Sequence, residues 1–447
     1  MRNYSPHLAW TERAVGNPCR IASVVEHPLY FSLDPSKAET LLSVWFQSII
    51  FRSTFGGVIM SKAAGKQASV PLLDVNRGNR ELHEEIMEAI ESVVLSGRFL
   101  HGPDVGELEC AIAGTCQTKH AIGVASGSDA LLLALMALDL QPGDEVIVPS
   151  FTFFATASAV SRLGGIPVFV DIDPHTFNID PSLVEANISS RTRAIIPVHL
   201  FGQCAAMDRI GAVARSHRIP VIEDAAQAIG ASYLGKPAGA WGDMGCLSFY
   251  PTKNLGGMGD GGMMVCQDDD LAAKLRLLAS HGMSPRYYHK VLGINSRLDT
   301  LQAAVLRIKH RKLDEYSRAR QKNASRYHEM FQARGLTNWI ELPYQAPEAH
   351  HVWNQYGVRV RDGLRDSMRK HLGELGIGNE VYYPVPLHQQ ECFRELGYCD
   401  GSLPHTEQAA AEILHLPIYP ELTEAEQDSV IMGIEQFYQS ASLRRAA

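Results

Sequence analysis

Between residues 121 and 222, short β-branched runs alternate with stretches of helical periodicity, and few folds accept that pattern. The strand-like runs are 121–125 (AIGVA), 145–149 (EVIVP), 167–170 (PVFV), 194–198 (AIIPV) and 220–222 (PVI). Apolar residues at helical spacing fill 128–139, about 155–163 and 207–217, and an earlier amphipathic stretch covers 79–98. Strands that are apolar on both faces and alternate with helices belong to βαβ units, with a parallel sheet buried between helical layers. A chain of 447 residues, 45% hydrophobic and 20% charged, can bury such a sheet and still carry a smaller domain. The pattern shifts after about residue 282. Helical stretches at 299–314 and 316–333 lead into a mixture of strand-like (356–360) and helical (423–438) segments, the last opening with the capping-box spacing Thr423–Glu426. The expected architecture is a large α/β domain over 70–312 with a mainly parallel sheet, a smaller α+β domain over 313–447, and a poorly ordered extension over 1–69.

Composition removes several classes of function. A net charge of −8 without a basic block argues against nucleic acid as a partner. The eight cysteines are scattered and form no CxxC pair, so neither a metal site nor a disulfide framework is expected, and a reducing cytoplasm is the default. Residues 41–60 have about the length of a membrane span, but Gln47, Arg52 and Gly56–Gly57 interrupt them. The expectation is an extension without a membrane anchor, or a translation start at Met60.

Chemistry concentrates in residues 248–262, SFYPTKNLGGMGDGG, where Lys253 sits in a serine- and glycine-rich turn between two apolar runs. Gly261 and Gly262 are expected to provide a tight reversal. A lysine on a rigid, partly desolvated turn suits covalent carbonyl chemistry, because burial lowers the amine pKa and frees the nucleophile. The competing reading is a surface lysine on a hairpin. Two upstream segments shift the balance. In 126–131 (SGSDAL) a strand ends and a helix begins, so free N–H groups and the Ser128 hydroxyl suit a phosphate, although an ordinary serine N-cap competes. In 220–227 (PVIEDAAQ) two acids, Glu223 and Asp224, end a buried strand where open α/β sheets bind ligands, and Gln227 can reach the same side. A carboxylate there can keep a pyridine nitrogen protonated; a capping aspartate is the alternative. Together these segments point to pyridoxal phosphate (PLP) held as a Schiff base on Lys253.

Other features are weaker. Phe151, Phe153 and Phe154 follow a strand exit and could stack on a flat cofactor or fill the core. His199 is as readily structural as functional. Residues 257–262 match GxGxxG, but a strand-like run follows where a dinucleotide site needs a helix. Residues 230–236 match most of a P-loop, but Pro237 stands where a magnesium-binding hydroxyl belongs.

The order of the phrases SGSDAL, GDEVIVPSFTFFATASA, PVHLFGQ, PVIEDAAQAIGASYLGK, SFYPTKNLGGMGDGG, GINSRLDTLQAAVL, YYPVPLH and LPIYPELT resembles the DegT/DnrJ/StrS family of nucleotide-sugar aminotransferases. The resemblance runs from about Pro71 to the C-terminal region and implies the aspartate-aminotransferase-like fold, PLP-dependent fold type I. It also implies roles. Lys253 would carry PLP, Asp224 would hold the pyridine nitrogen, Gln227 would approach the phenolic oxygen and Phe153 would stack on the ring. Ser128, the Asp129 backbone and Ser248 would hold the phosphate. Asn295 would reach the partner subunit's cofactor, making an obligate homodimer. L-Glutamate would be the donor and a keto-sugar nucleotide the acceptor, for polysaccharide or glycan precursors. Residues 286–299 look most like the 3-amino branch; a 4-keto sugar or cyclitol acceptor is the alternative. Two departures stand out: Ser128 where many relatives have Thr, and Tyr382-Tyr383-Pro384 where 3-aminotransferases often read His-Tyr-Pro. Lys253 argues against the family's dehydratases, which have His there, and against a PLP-binding scaffold or regulator without turnover.

Overall fold

The computed structural model describes residues 69–446, with backbone only from 441. The expectations for the extension, including the stretch 41–60, lie outside the described residues.

Seven strands build the main sheet: β1 (His120–Val124), β2 (Glu145–Pro149), β3 (Ile166–Val170), β4 (Thr192–Ile195), β5 (Ile222–Asp224), β6 (Met244–Ser248) and β7 (Gly262–Cys266). β2 pairs in parallel with β3 and β4, and β5 in parallel with β6. Parallel bridges Ile195–Val221 and Val198–Asp224 continue β4 onto β5. β7 runs antiparallel between β6 and β1. The order is thus β3-β2-β4-β5-β6-β7-β1, mainly parallel with one reversed strand.

Alternation along each strand explains the continuous apolar runs. Val146 and Val148 enter one core with helices α2 (Gly127–Ala137), α3 (Ala155–Arg162) and α5 (Asp269–Leu278). Ile147, between them, enters the core on the opposite face with helices α1 (Pro103–Cys116), α4 (Met207–His217) and α6 (Thr300–His310). Both faces are covered at Val146, Ile147 and Val148, so these positions leave no room for a solvated polar side chain.

The third core joins helix α7 (Leu313–Ala333), an antiparallel sheet of β8 (Ile340–Glu341), β9 (Tyr356–Val360) and β10 (Ile413–Leu416), and buried residues of the C-terminal helix from Glu424. This core also takes in Phe151, Phe177 and Phe201, so the C-terminal part packs on the strand exits of the main sheet. The capping box forms: Thr423 N–H donates to Glu426 Oε2 (2.9 Å) and Glu426 N–H to Thr423 Oγ1 (3.2 Å).

Two expectations change in detail, and the two rejected motifs stay rejected. The helix read over 299–314 stops at His310, and α7 restarts at Leu313. The strand read over 220–222 is centred two residues later and includes both acids. The P-loop-like residues form a hairpin, Ser232–Tyr233 against Lys236–Pro237, and β7 follows the glycine string directly, so both rejected motifs are structurally something else.

Candidate active site

Lys253 lies on the connection between antiparallel β6 and β7. The connection is pinned at several points: Phe249 N–H donates to Gly261 O (2.8 Å), Gly257 N–H to Phe249 O (2.8 Å) and Lys253 N–H to Tyr250 O (2.9 Å). From α6, Lys309 Nζ donates to Gly256 O (2.5 Å). Asn254 Nδ2 donates to Val352 O (2.8 Å). A Cβ on Gly256 would lie 2.3 Å from Pro251 O, so this turn closes only around glycine. The expected reversal at Gly261 and Gly262 needs correction, because neither has a left-handed φ. Glycine at 262 serves close approach instead: a Cβ there would sit 2.4 Å from the Ser126 carbonyl carbon. Burial pulls the Lys253 amine down to about 8, while the nearby Asp224 carboxylate opposes the shift.

The two acids of β5 face opposite sides of the sheet, as successive strand residues must. Glu223 is fully buried and accepts from the N–H groups of Gly239 (2.8 Å), Trp241 (2.6 Å) and Gly242 (2.7 Å) and from His199 Nε2 (2.7 Å). Ala205 N–H donates to His199 Nδ1 (3.2 Å), so Nε2 carries the proton. His199 is therefore a satisfied structural residue. Asp224 turns the other way. Its Oδ2 accepts from Thr156 Oγ1 (2.8 Å) and its Oδ1 from Ala226 N–H (3.2 Å). Burial pushes this carboxyl above the usual range, and the Thr156 hydroxyl, the Ala226 amide and Lys253 work against that.

Gln227 reaches the same side, with Oε1 accepting from Phe201 N–H (2.6 Å) and Nε2 donating to Tyr383 OH (3.2 Å). Spacing alone could not rank the aromatics after β2. In the structure Phe151 is core, 1% exposed, whereas Phe153 is 56% exposed and its ring lies 6.1 Å from that of Tyr383.

At the start of α2 the N-cap is Ser126, whose Oγ accepts from Asp129 N–H (3.1 Å). That leaves Ser128 exposed on the first turn, while the Asp129 amide is already engaged. Ser248 abuts the same turn: a Cβ on Gly127 would lie 2.8 Å from Ser248 Cβ and 3.3 Å from its Oγ. Gly127, Ser128, Ser248 and Gly262 thus form one small-residue cradle at a helix N-terminus. Asn295 stands apart. It is exposed and lines another hollow with Leu100, Ala125, Asp260, Arg297 and Asp299.

Sequence reasoning missed Thr156, Tyr383 OH as the partner of Gln227, and Ser126 as the cap. The available signal for Thr156 was a hydroxyl in the first turn of a helix opening just past a strand exit.

Among the described residues no helix is long and apolar enough to cross a membrane, and no group of three His, Cys, Asp or Glu could hold a metal. All seven described cysteines are free.

Residues 80–435 match the DegT/DnrJ/EryC1/StrS aminotransferase family. A pleiotropic regulatory protein of Geobacillus stearothermophilus is 49% identical over 83% of this chain and 99% of its own. The UDP-N-acetyl-3-dehydro-α-D-glucosamine 3-aminotransferase of Acidithiobacillus ferrooxidans is 43% identical over 80% of this chain and 95% of its own. The Bacillus subtilis NtdA structure with bound cofactor PMP superposes with a TM-score of 0.78 at 35% identity, covering 84% of this chain and 86% of that one.

Proposed function

The chain belongs to the DegT/DnrJ/EryC1/StrS aminotransferase family and is a PLP-dependent aminotransferase; from that premise we propose that it carries an amino group from L-glutamate to a UDP- or dTDP-linked 3-keto sugar, supplying polysaccharide or glycan precursors. One observation carries the site: half-buried Lys253, on a turn pinned through Asn254 and Gly256, lies close to the buried Asp224, and desolvation lowers its amine to about 8.

The residues present fit the cofactor. A pyridinium N–H would satisfy Asp224, whose buried carboxylate is otherwise costly to keep charged. The exposed Phe153 ring offers a stacking face, and the cradle at α2 offers a helix N-terminus with two hydroxyls. In this reading Ser128, Ser248 and the Asp129 turn hold the phosphate, and Gln227 faces the phenolic oxygen. The Asp129 amide must share its bond to Ser126. Asn295 acts across a homodimer, on the partner subunit's cofactor. Residues 70–312 and 313–447 are taken as the two domains, with the protein in the cytoplasm.

PLP, when bound, supplies the electron sink that lets a Cα–H bond of the amino donor ionise. The chain supplies the rest. Lys253 Nζ, as free base, takes the Cα proton of glutamate and returns a proton when the keto acceptor follows. Asp224, held by Thr156 and Ala226, would face the ring nitrogen and accept its proton's hydrogen bond. Gln227 is oriented by Phe201 and Tyr383, so its amide cannot rotate freely. Lys253→Ala therefore abolishes turnover.

The 3-keto assignment rests on likeness to residues 286–299 and on the Acidithiobacillus relative. A 4-keto sugar or cyclitol is the alternative acceptor. The regulatory relative keeps a non-enzymatic reading in view, but a scaffold has no use for Lys253 opposite Asp224. The test runs the second half-reaction backwards: PLP-loaded protein meets UDP- and dTDP-linked 3-amino and 4-amino sugars singly, with the cofactor's visible absorbance followed. Bleaching by 3-amino compounds alone is expected. Bleaching by 4-amino compounds alone overturns the regiochemistry, and no bleaching by any sugar or by glutamate overturns the transaminase reading.

A further inference from the structure

Ser150, His388 and Glu407 form a hydrogen-bonded chain, buried at Ser150 and His388 and half-buried at Glu407, outside the residues considered so far. Ser150 immediately follows β2 and precedes the segment that presents Phe153; it is fully buried. Its N–H donates to Val170 O (3.1 Å), and its own carbonyl accepts from Leu387 N–H (2.9 Å). Its Oγ accepts from His388 N–H (3.2 Å) and lies 2.7 Å from His388 Nδ1. His388, 2% exposed, reaches Glu407 Oε1 with Nε2 (3.2 Å). Glu407 also accepts from Gly401 N–H (2.8 Å) and Leu403 N–H (3.2 Å).

The hydrogen positions follow from these partners. The Glu407 carboxylate only accepts, so Nε2 carries a proton; in the neutral imidazole Nδ1 is then the acceptor, and the Ser150 O–H donates to it. Nδ1 is bare, and Nε2–H donates to the carboxylate. The arrangement has the order of a hydrolytic triad but not its use, because a hydroxyl with no exposed surface cannot meet an acyl substrate.

What the chain does is join two segments that carry site residues. On one side Ser150 leads to Phe151, core against Tyr383 (6.2 Å between rings), and to Phe153. On the other, His388 ends the stretch 383–388, which begins with Tyr383, the partner of Gln227. We propose that Ser150 and His388, with Glu407 fixing the tautomer of the imidazole, are positioning residues that hold Phe153 against the Tyr383–Gln227 pair, and so set the fit of cofactor ring and substrate. The proposal rests on the assignment of Phe153 and Gln227 to the cofactor site.

The test uses full-length PLP-loaded protein. Ser150→Ala removes the hydroxyl. His388→Asn keeps an acceptor near the Nδ1 position but loses Glu407, and His388→Gln keeps a donor near Nε2 but loses Ser150. Ser150→Ala and His388→Gln are expected to raise the glutamate concentration for half-bleaching about tenfold and to change the circular dichroism of bound PLP, at unchanged cofactor content. His388→Asn should stay within about twofold of the parent. Nitrogen NMR of histidine-labelled parent should show a bare Nδ1 and protonated Nε2, assigned by its loss in His388→Asn. The proposal is overturned if that tautomer is reversed, if Ser150→Ala leaves both dichroism and half-bleaching unchanged, or if His388→Asn and His388→Gln are equally impaired. Should the parent itself not respond to glutamate, the donor assignment fails, while the dichroism and the tautomer still decide on the positioning chain.

Discussion

The Lys253 amine offers the sharpest quantitative test. Burial lowers it from 10.5 to about 8, even though the Asp224 carboxylate favours the ammonium. In cofactor-free protein at pH 8 about half of Lys253 is then free base, against roughly 0.3% for an unperturbed lysine, a difference of roughly 150-fold in available nucleophile. Competitive labelling with a limiting amine reagent between pH 6 and 11 reads this directly. The peptide containing Lys253 is quantified by mass spectrometry and normalised to the exposed Lys370. The expected midpoint is about 8. In Asp224→Asn the midpoint should fall further, because the charge that stabilises the ammonium is gone; thermal melts establish that the variant is folded. A midpoint near 10, or an upward move in the variant, refutes the reasoning. The same displacement has a stability consequence. Between about 8 and 10.5 the unfolded chain keeps a proton that the folded one has lost, so the apoprotein should gain stability as pH rises through that window, on the order of 3 kcal/mol in total.

Thr156→Val strips Asp224 Oδ2 of its hydroxyl donor and should weaken PLP binding by about 1–3 kcal/mol, measured by titrating apoprotein with the cofactor. Glu223→Gln sets an amide against three backbone N–H donors and His199; urea unfolding should show a loss of about 3–5 kcal/mol, and a variant as stable as the parent would contradict the burial argument. Gly262→Ala places a methyl against the Ser126 carbonyl and should displace the start of α2, costing about 1–3 kcal/mol of stability together with cofactor affinity.

The main sheet was legible because its strands are buried on both faces, which leaves an uninterrupted apolar run whatever the partner strand. Lys253, Asp224 and Gln227 could be singled out as candidates for a related reason: each lies at a strand exit or in a turn whose composition is itself unusual. What stayed hidden depended on which distant groups meet. Glu223 and Asp224 are adjacent acids, and only the sheet's facing decides that one is consumed by backbone amides while the other looks into the site. Ser126 and Ser128 are both plausible caps in a string of letters; the backbone geometry at Ser126 assigns the cap. Gly262 looked like part of a tight reversal and is a clearance, since nothing in its neighbours announces that residue 126 passes within contact. The pairing of Gln227 with Tyr383 spans 156 residues, and local pattern carries no trace of it.

The strand order β3-β2-β4-β5-β6-β7-β1 bears on how the protein reaches its working state. The neighbour of β1 is the last strand of the sheet to leave the ribosome, and the cradle needs the start of α2 beside both Ser248 and Gly262. No early fragment of the chain contains a complete binding surface. Such distant pairings make for slow assembly, and a ligand that recognises only the finished arrangement draws the whole population toward it by mass action. PLP should then act as a late folding partner as well as a reagent, with the melting temperature rising in step with cofactor concentration and protease resistance appearing across the main sheet at once.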